Sequence, residues 1–212
     1  MMKYSLMKRV AFYILGLHVS AFGLALAPKA DLGVAAGSTL SFAGSIITSL
    51  TFGMCTSIFH TFCVLLQLIL KRRVTVSLAL QLPMTYVFGF LIDFFSNLLR
   101  FPPPGIGYGI PLMAGSVLIL ALGLRILFGA SLILMPPDGL VQTIAEMTDR
   151  SLSKSKLIFD LTIVAVSAGL TFSILGSAFI AIGIGTVVSL FLTGPAIGAY
   201  QKFLPFFDVP AA

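Results

Sequence analysis

The chain has 212 residues, of which 58% are hydrophobic and only 9% charged, with a formal net charge of +6 and a mean hydropathy of +1.09. So few polar groups cannot cover a water-facing surface, which excludes an ordinary soluble globular domain. The basic excess lacks the clustered face that nucleic-acid binding needs; it is the excess expected when Lys and Arg are retained in cytoplasmic loops of a membrane protein. No nucleic-acid partner is therefore expected, and the partners expected are the lipid bilayer and a small-molecule solute.

A hydrocarbon core about 30 Å thick takes about 20 apolar residues per helical crossing. The length then suits an all-α, polytopic fold of six crossings in one transmembrane domain covering 1–212, with nothing left for a separate soluble domain. Lys3, Lys8 and Arg9, the apolar run from Val10, and Ala25-Leu26-Ala27 imitate a cleavable signal peptide. The run is longer than a usual signal core and Pro28 would follow the cut, so a retained first crossing over 9–28 is expected. Gly16, Ser20, Gly23 and Ala27 make a small-residue stripe on it, suited to close helix packing inside the fold.

From Ala30 to Leu50 the pattern breaks and leaves a helix of about 12 residues, or about 18 Å, too short to cross. It is expected over 38–50, with Ser38 as its cap and a hydroxyl stripe of Ser38, Ser41, Ser45 and Thr48. The second crossing, 53–70, holds His60, Gln67 and two cysteines, Cys55 and Cys63. Eight residues apart, those cysteines stand about 12 Å from each other along a helix and cannot bridge; they read as buried small hydrophobes. After the basic turn Lys71-Arg72-Arg73, the third crossing, 75–98, carries Gln81, Asp93 and Asn97. Asp93 is placed to cap a helix or to pair with Arg100.

The fourth crossing, 108–131, contains Arg125, which either snorkels to the interface, pairs with Asp138 or Asp160, or meets an anionic solute. A second broken segment runs from Leu132 to Arg150 and contains Met135-Pro136-Pro137-Asp138-Gly139. There the prolines bar helix, Asp138 is a good cap and Gly139 permits close backbone approach, so a short helix is expected over 138–149. Gln142, Glu146 and Asp149 share one face of it. Two descriptions fit both short helices: interfacial helices, or re-entrant ones whose N-termini point inward and offer N–H groups to a polar or anionic group. The fifth and sixth crossings are expected at 156–175, with Asp160 near its start, and at 178–200, with Gly194-Pro195-Ala196-Ile197-Gly198.

With the N-terminus in the cytoplasm, Lys3, Lys8, Arg9, Lys71, Arg72, Arg73, Arg150, Lys154, Lys156 and Lys202 fall on the cytoplasmic side and only Lys29 and Arg100 face out. That count puts the C-terminus in the cytoplasm too, provided neither short helix crosses. At an offset of 100 the chain matches itself at Ala21/Ala121, Gly23/Gly123, Leu24/Leu124, Ala30/Ala130, Leu32/Leu132 and Phe59/Phe159, among others, and His60 matches Asp160. Each stretch, about 9–100 and about 108–204, reads long helix, broken segment, short helix, long helix, turn, long helix. Two halves with three crossings each must be inverted relative to one another, an architecture recurrent among secondary transporters, with sites where the halves meet.

Ionisable groups inside hydrocarbon cost several kcal/mol, by about that order, and face a partner or a cavity. The candidate solute-binding residues are therefore Ser38, Thr39, Pro137, Asp138, Gly139, Arg125, His60 and Asp160, while His18 reads as a packing residue. Metal-ligand spacings, nucleophile elbows, phosphate loops and haem motifs are missing, so no catalytic residue, metal or cofactor is expected and the protein is not read as an enzyme.

The Ala30-Asp31-Leu32-Gly33-Val34 segment, the Pro137-Asp138-Gly139 turn, and Ile184-Gly185-Thr186 leading to Gly194-Pro195-Ala196-Ile197 are similar to the YczE/YitT-like family of bacterial integral membrane proteins. The resemblance implies the fold and a bacterial cytoplasmic (inner) membrane location, and names no substrate. Members of that family often carry Pro and an acidic residue in the first broken segment; Ala36 and Ser38 stand there in this chain, so a symmetric two-carboxylate site is not expected. The reading is a secondary transporter or carrier of a small polar or anionic solute; the alternative is a membrane partner or regulatory subunit with no flux of its own, and a homo-oligomer fits either.

Overall fold

The computed structural model describes residues 5–101 and 106–204. Lys3, counted above on the cytoplasmic side, lies outside them. The described residues form eight α-helices: α1 (Leu6–Leu26), α2 (Thr39–Ile47), α3 (Phe52–Lys71), α4 (Val76–Leu98), α5 (Ile106–Ala130), α6 (Pro136–Thr148), α7 (Leu152–Leu175) and α8 (Ile184–Phe203). Short 3-10 turns, Ala27–Ala30 and Ala36–Ser38, extend α1 and introduce α2. Six helices, α1, α3, α4, α5, α7 and α8, are long and apolar enough to cross a membrane, and α2 and α6 are too short.

Hydroxyl caps start three of the long helices. Thr51, Thr75 and Ser151 accept from the backbone N–H three residues on, at Met54, Leu78 and Lys154. The last crossing begins later than the sequence predicts, at Ile184 rather than 178, because Gly176 ends α7 in the left-handed conformation and the backbone stays irregular up to the extended Gly183. Prolines inside α4, α5 and α8 leave these helices continuous, as apolar spans tolerate when neighbouring groups satisfy the freed carbonyl.

At the centre α1 packs along α5. The small-residue stripe sits in this seam: a Cβ on Gly16 would lie 2.8 Å from the Leu127 side chain, one on Gly23 2.6 Å from the Leu120 backbone, and one on Gly123 would collide with Ser20. Such backbone approach replaces the hydrophobic drive that helices lack in lipid. Around this pair, α4 flanks α1 and α8 flanks α5, and both short helices lie between α3 and α7, each packing on the two. α3 and α4 also pack closely, with Gly53 against the Gly89 carbonyl and Ser57 over Gly89. α7 and α8 make no comparable contact with each other, and they are the least covered of the six long helices. The small-residue GxxxG spacing of Gly194 and Gly198 on α8 would suit close helix packing, but it has no such neighbour: both have open space around them.

Contacts distinguish the two ends of the bundle. At one end the Arg9 guanidinium donates to the carbonyls of Ala130 (3.0 Å) and Ser131, joining the start of α1 to the end of α5. Lys71 and Arg73 border α6 at the same end. At the other end the Gly185 N–H donates to the Leu32 carbonyl (2.8 Å), Gly183 abuts Leu32, and Gly109 abuts the Ala30 carbonyl. Asp31 and Ser131, one hundred positions apart, both turn the chain in the left-handed region, with φ of 54° and 50°.

Candidate functional site

The second broken segment does not start its helix at Asp138. Met135 is extended and α6 begins at Pro136, so both prolines occupy the first helical positions, where a missing N–H costs nothing and a fixed φ suits the turn. Asp138 is a first-turn acid of α6 rather than its cap. Ser38 does stand at the N-cap position of α2, but its Oγ makes no capping bond and donates instead to the Ala35 carbonyl (2.8 Å), in the 3-10 turn that introduces the helix.

Both short helices carry their first turns inside the bundle. The start of α6 is held by Gln67, whose Nε2 donates to the Pro136 carbonyl (3.1 Å) and to Gln81 Oε1 (2.9 Å). The pair leaves no room beside Gly139, where a Cβ would lie 2.7 Å from Gln67 Oε1. The start of α2 lies between α7 and α8: the Ala36 N–H donates to Ser189 Oγ (3.1 Å), and Ser167 Oγ donates to the Thr39 carbonyl (3.1 Å). The outer face of α6 is polar as read, with Gln142 Nε2 donating to Glu146 Oε1 (2.9 Å) in exposed positions.

One cation joins the two starts. Lys156 Nζ lies 3.2 Å from Asp138 Oδ1 and 3.2 Å from Asp160 Oδ1, and sits over the Phe159 ring at 5.8 Å. The carboxylates are mostly covered, 19% and 15% exposed, and Lys156 is 40% exposed. Asp138 belongs to the first turn of α6, and a Cβ on Gly37, in the turn that opens α2, would lie 3.2 Å from Asp160 Oδ1. Asp138 thus belongs to the N-terminal turn of α6, and Asp160 lies beside the turn that opens α2, without a hydrogen bond from that turn to its Oδ1. A helix N-terminus carries about half a positive charge, so two termini and one ammonium roughly balance two carboxylates.

These groups border a cavity of about 1170 Å³ between the two halves of the chain. Residues one hundred positions apart line it together: Leu24 with Leu124, Gly37 with Pro137, Ser38 with Asp138, Thr56 with Lys156, and His60 with Asp160. It reaches the basic end past the exposed Asp149, Arg150, Ser151 and Ser153. The backbone contacts of Leu32 with Gly183 and Gly185 lie beyond its opposite limit. His60 is 7% exposed, stacked on Phe88 with ring centroids 5.8 Å apart, and its Nδ1 has no hydrogen-bond partner among the described residues. Ser41 Oγ, also on the cavity wall, is buried and without a partner in the same sense.

Of the residues named from the sequence, Ser38, Pro137, Asp138, His60 and Asp160 share this cavity. Thr39 is fully buried behind it, its hydroxyl donating to the Ala36 carbonyl (2.9 Å), and Gly139 packs against the glutamine pair. Arg125 does not pair with Asp138 or Asp160: it is buried at 3% exposure and donates from Nη2 to the Leu204 carbonyl (3.3 Å), while Lys156 holds the position against both carboxylates. Asp93 caps α3, accepting from Thr51 Oγ1 (2.5 Å) and the Gly53 N–H (2.8 Å), and Arg100 donates to Asn97 instead (3.4 Å). His18 makes the packing contact expected of it, hydrogen-bonded to the Ile14 carbonyl (2.8 Å). Cys55 and Cys63 are buried and free.

Lys156 is the member of this charged cluster that sequence reasoning missed. Counting it among the charges of a cytoplasmic loop hid a local signal, the i,i+4 spacing of Lys156 and Asp160 on one helix face. Against known proteins, residues 7–202 match the model of DUF6198, a family of unknown function, and the chain belongs to that family. No curated protein and no solved structure matches it.

Proposed function

From membership of a family without an assigned activity, we propose that the chain is a secondary carrier of a small polar solute in the bacterial inner membrane, built as two inverted halves that share one central site. The observation that carries this reading is the cavity of about 1170 Å³, lined from both halves at corresponding positions and entered by the first turns of both short helices. Its volume slightly exceeds the range of about 300–1,000 Å³ typical of small-molecule sites. The likeness of the broken segments to YczE/YitT-like proteins supports the same membrane location. The basic end, with Arg9, Lys71, Arg73 and Arg150, is the cytoplasmic one on positive-inside grounds, so the cavity is open to the cytoplasm and sealed outward by the Leu32–Gly185 seam.

Alternating access then consists of rocking one half against the other around a fixed site. In the described state α3 and α4 are closed on each other while α7 and α8 stand apart. The outward-facing state reverses those relations. Uptake of a mixed pool of radiolabelled metabolites into proteoliposomes tests the reading. Uptake by the unaltered protein, lost in Asp138→Asn and Asp160→Asn variants that remain folded, is the expected result. A folded protein that moves nothing, and is isolated in mild detergent in fixed ratio with another membrane protein, would make it a regulatory subunit.

A further inference from the structure

We infer that the solute carries an ammonium group, which takes the place of Lys156 Nζ between Asp138 and Asp160. The inference rests on the carrier reading and names the chemistry of its site. An anionic solute has no vacant cationic partner here. Asp138 belongs to the first turn of α6, Asp160 lies beside the turn that opens α2, and Lys156 already bridges both carboxylates at 3.2 Å. An anion drawn to Lys156 would leave two partly buried carboxylates uncompensated, an arrangement that costs several kcal/mol by order of magnitude. A solute ammonium that displaces Lys156 leaves the balance of charge unchanged.

The geometry favours that exchange. Aspartate stems are short and stay with their helices, whereas Lys156 ends a four-carbon chain, is 40% exposed and is the movable member of the cluster. Elsewhere on the cavity wall, His60 Nδ1 and Ser41 Oγ are buried polar atoms without partners among the described residues. A buried polar atom left unpaired costs about 1–3 kcal/mol, so both point to a ligand with polar atoms of its own. Much of the remaining wall is apolar, from Leu24, Phe88, Leu120 and Leu127. The class that fits is an organic amine: an ammonium for the two carboxylates, a hydrogen-bonding group for His60 or Ser41, and an apolar body against the leucines and Phe88.

The experiment titrates full-length protein in detergent micelles with n-butylammonium, butyrate and 1-butanol, probes of one chain length and three charges, read by calorimetry and by thermal unfolding. Butylammonium is expected to bind the unaltered protein weakly, because Lys156 competes from within. Lys156→Met is expected to bind it about tenfold or more tightly, the gain from a site no longer occupied by its own side chain. Asp138→Asn and Asp160→Asn are expected to lose it. Preference for butyrate, or butylammonium binding that ignores both Asp substitutions, would overturn the inference. The unaltered protein supplies a readout independent of whether Lys156→Met folds: butylammonium must raise its unfolding midpoint more than the other two probes at equal concentration, and equal shifts would overturn the inference. None of these readouts needs flux. Ammonium binding without uptake would defeat the carrier reading alone; uptake of a solute lacking an ammonium, with no butylammonium bound, would defeat this inference alone.

Discussion

His60 and Asp160 line one cavity from corresponding places on α3 and α7, one hundred positions apart in the chain. The same holds for Thr56 and Lys156 and for Ser38 and Asp138. One half thus supplies hydroxyls and an imidazole where the other supplies the charges, and the behaviour of the charged side can be tested by substitution.

Lys156 serves two carboxylates at once, so losses there are not additive. Lys156→Ala is expected to destabilise the protein by about 1–3 kcal/mol, less than a fully buried pair because its side chain is partly exposed. The double variant Lys156→Ala/Asp160→Asn should be more stable than the sum of the single losses by about 0.5 kcal/mol or more. Thermal unfolding in one detergent gives the cycle, and strict additivity would show that the cluster is not one unit.

Gly53 and Gly194 make opposite predictions from the same substitution. A Cβ on Gly53 would meet the Gly89 carbonyl and lie 2.6 Å from Asp93 Cγ, while nothing stands within 4 Å of Gly194. Gly53→Ala is expected to cost about 1–3 kcal/mol through overpacking. Gly194→Ala should leave stability unchanged or raise it by up to about 1 kcal/mol, the helix-propensity gain. Unfolding midpoints of the two variants decide this.

Gln67 and Gln81 hold the start of α6 through the Pro136 carbonyl and through each other (2.9 Å). Gln67→Leu leaves buried acceptors at Pro136 and Gln81 and is expected to cost about 1–3 kcal/mol. Adding Gln81→Leu should cost little more, since its partner is already gone. Hydrogen exchange over residues 136–141 is expected to accelerate in Gln67→Leu, and unchanged exchange there would remove the pair from any role in seating α6.

The basic end is expected to face the cytoplasm. In a background carrying Cys55→Ala and Cys63→Ala, a cysteine at the exposed Ser153 should react with an impermeant maleimide only after cells are opened, and one at Lys29 in intact cells. The reverse pattern would invert the orientation.

The membrane fold was legible because composition and apolar run length act on every residue at once, and six runs became six helices. Ends were less legible where a turn had no charge to mark it, as between Gly176 and Gly183. The members of the candidate site were legible one by one, and Asp138, Asp160, His60, Ser38 and Pro137 line one cavity. Pairing was not. Arg125 and Lys156 carry the same charge; the i,i+4 spacing marks Lys156 for Asp160, but its reach to Asp138 depends on how α6 lies across α7, a tertiary relation no local spacing encodes. Burial of the first turns of α2 and α6 likewise depends on contact between halves, since each packs on a long helix of the other half.

The first turn of α2 is tied to α8 through Ser189 and to α7 through Ser167. It acts as a spacer that sets how far apart two helices of the opposite half can stand. Small changes of volume at Ala36 or Gly37 therefore become changes in the separation of α7 and α8, on helices that those residues precede by more than a hundred positions. A pair of spin labels at Gly169 and Gly194, both in open space, would read that separation as a ruler reads a shim.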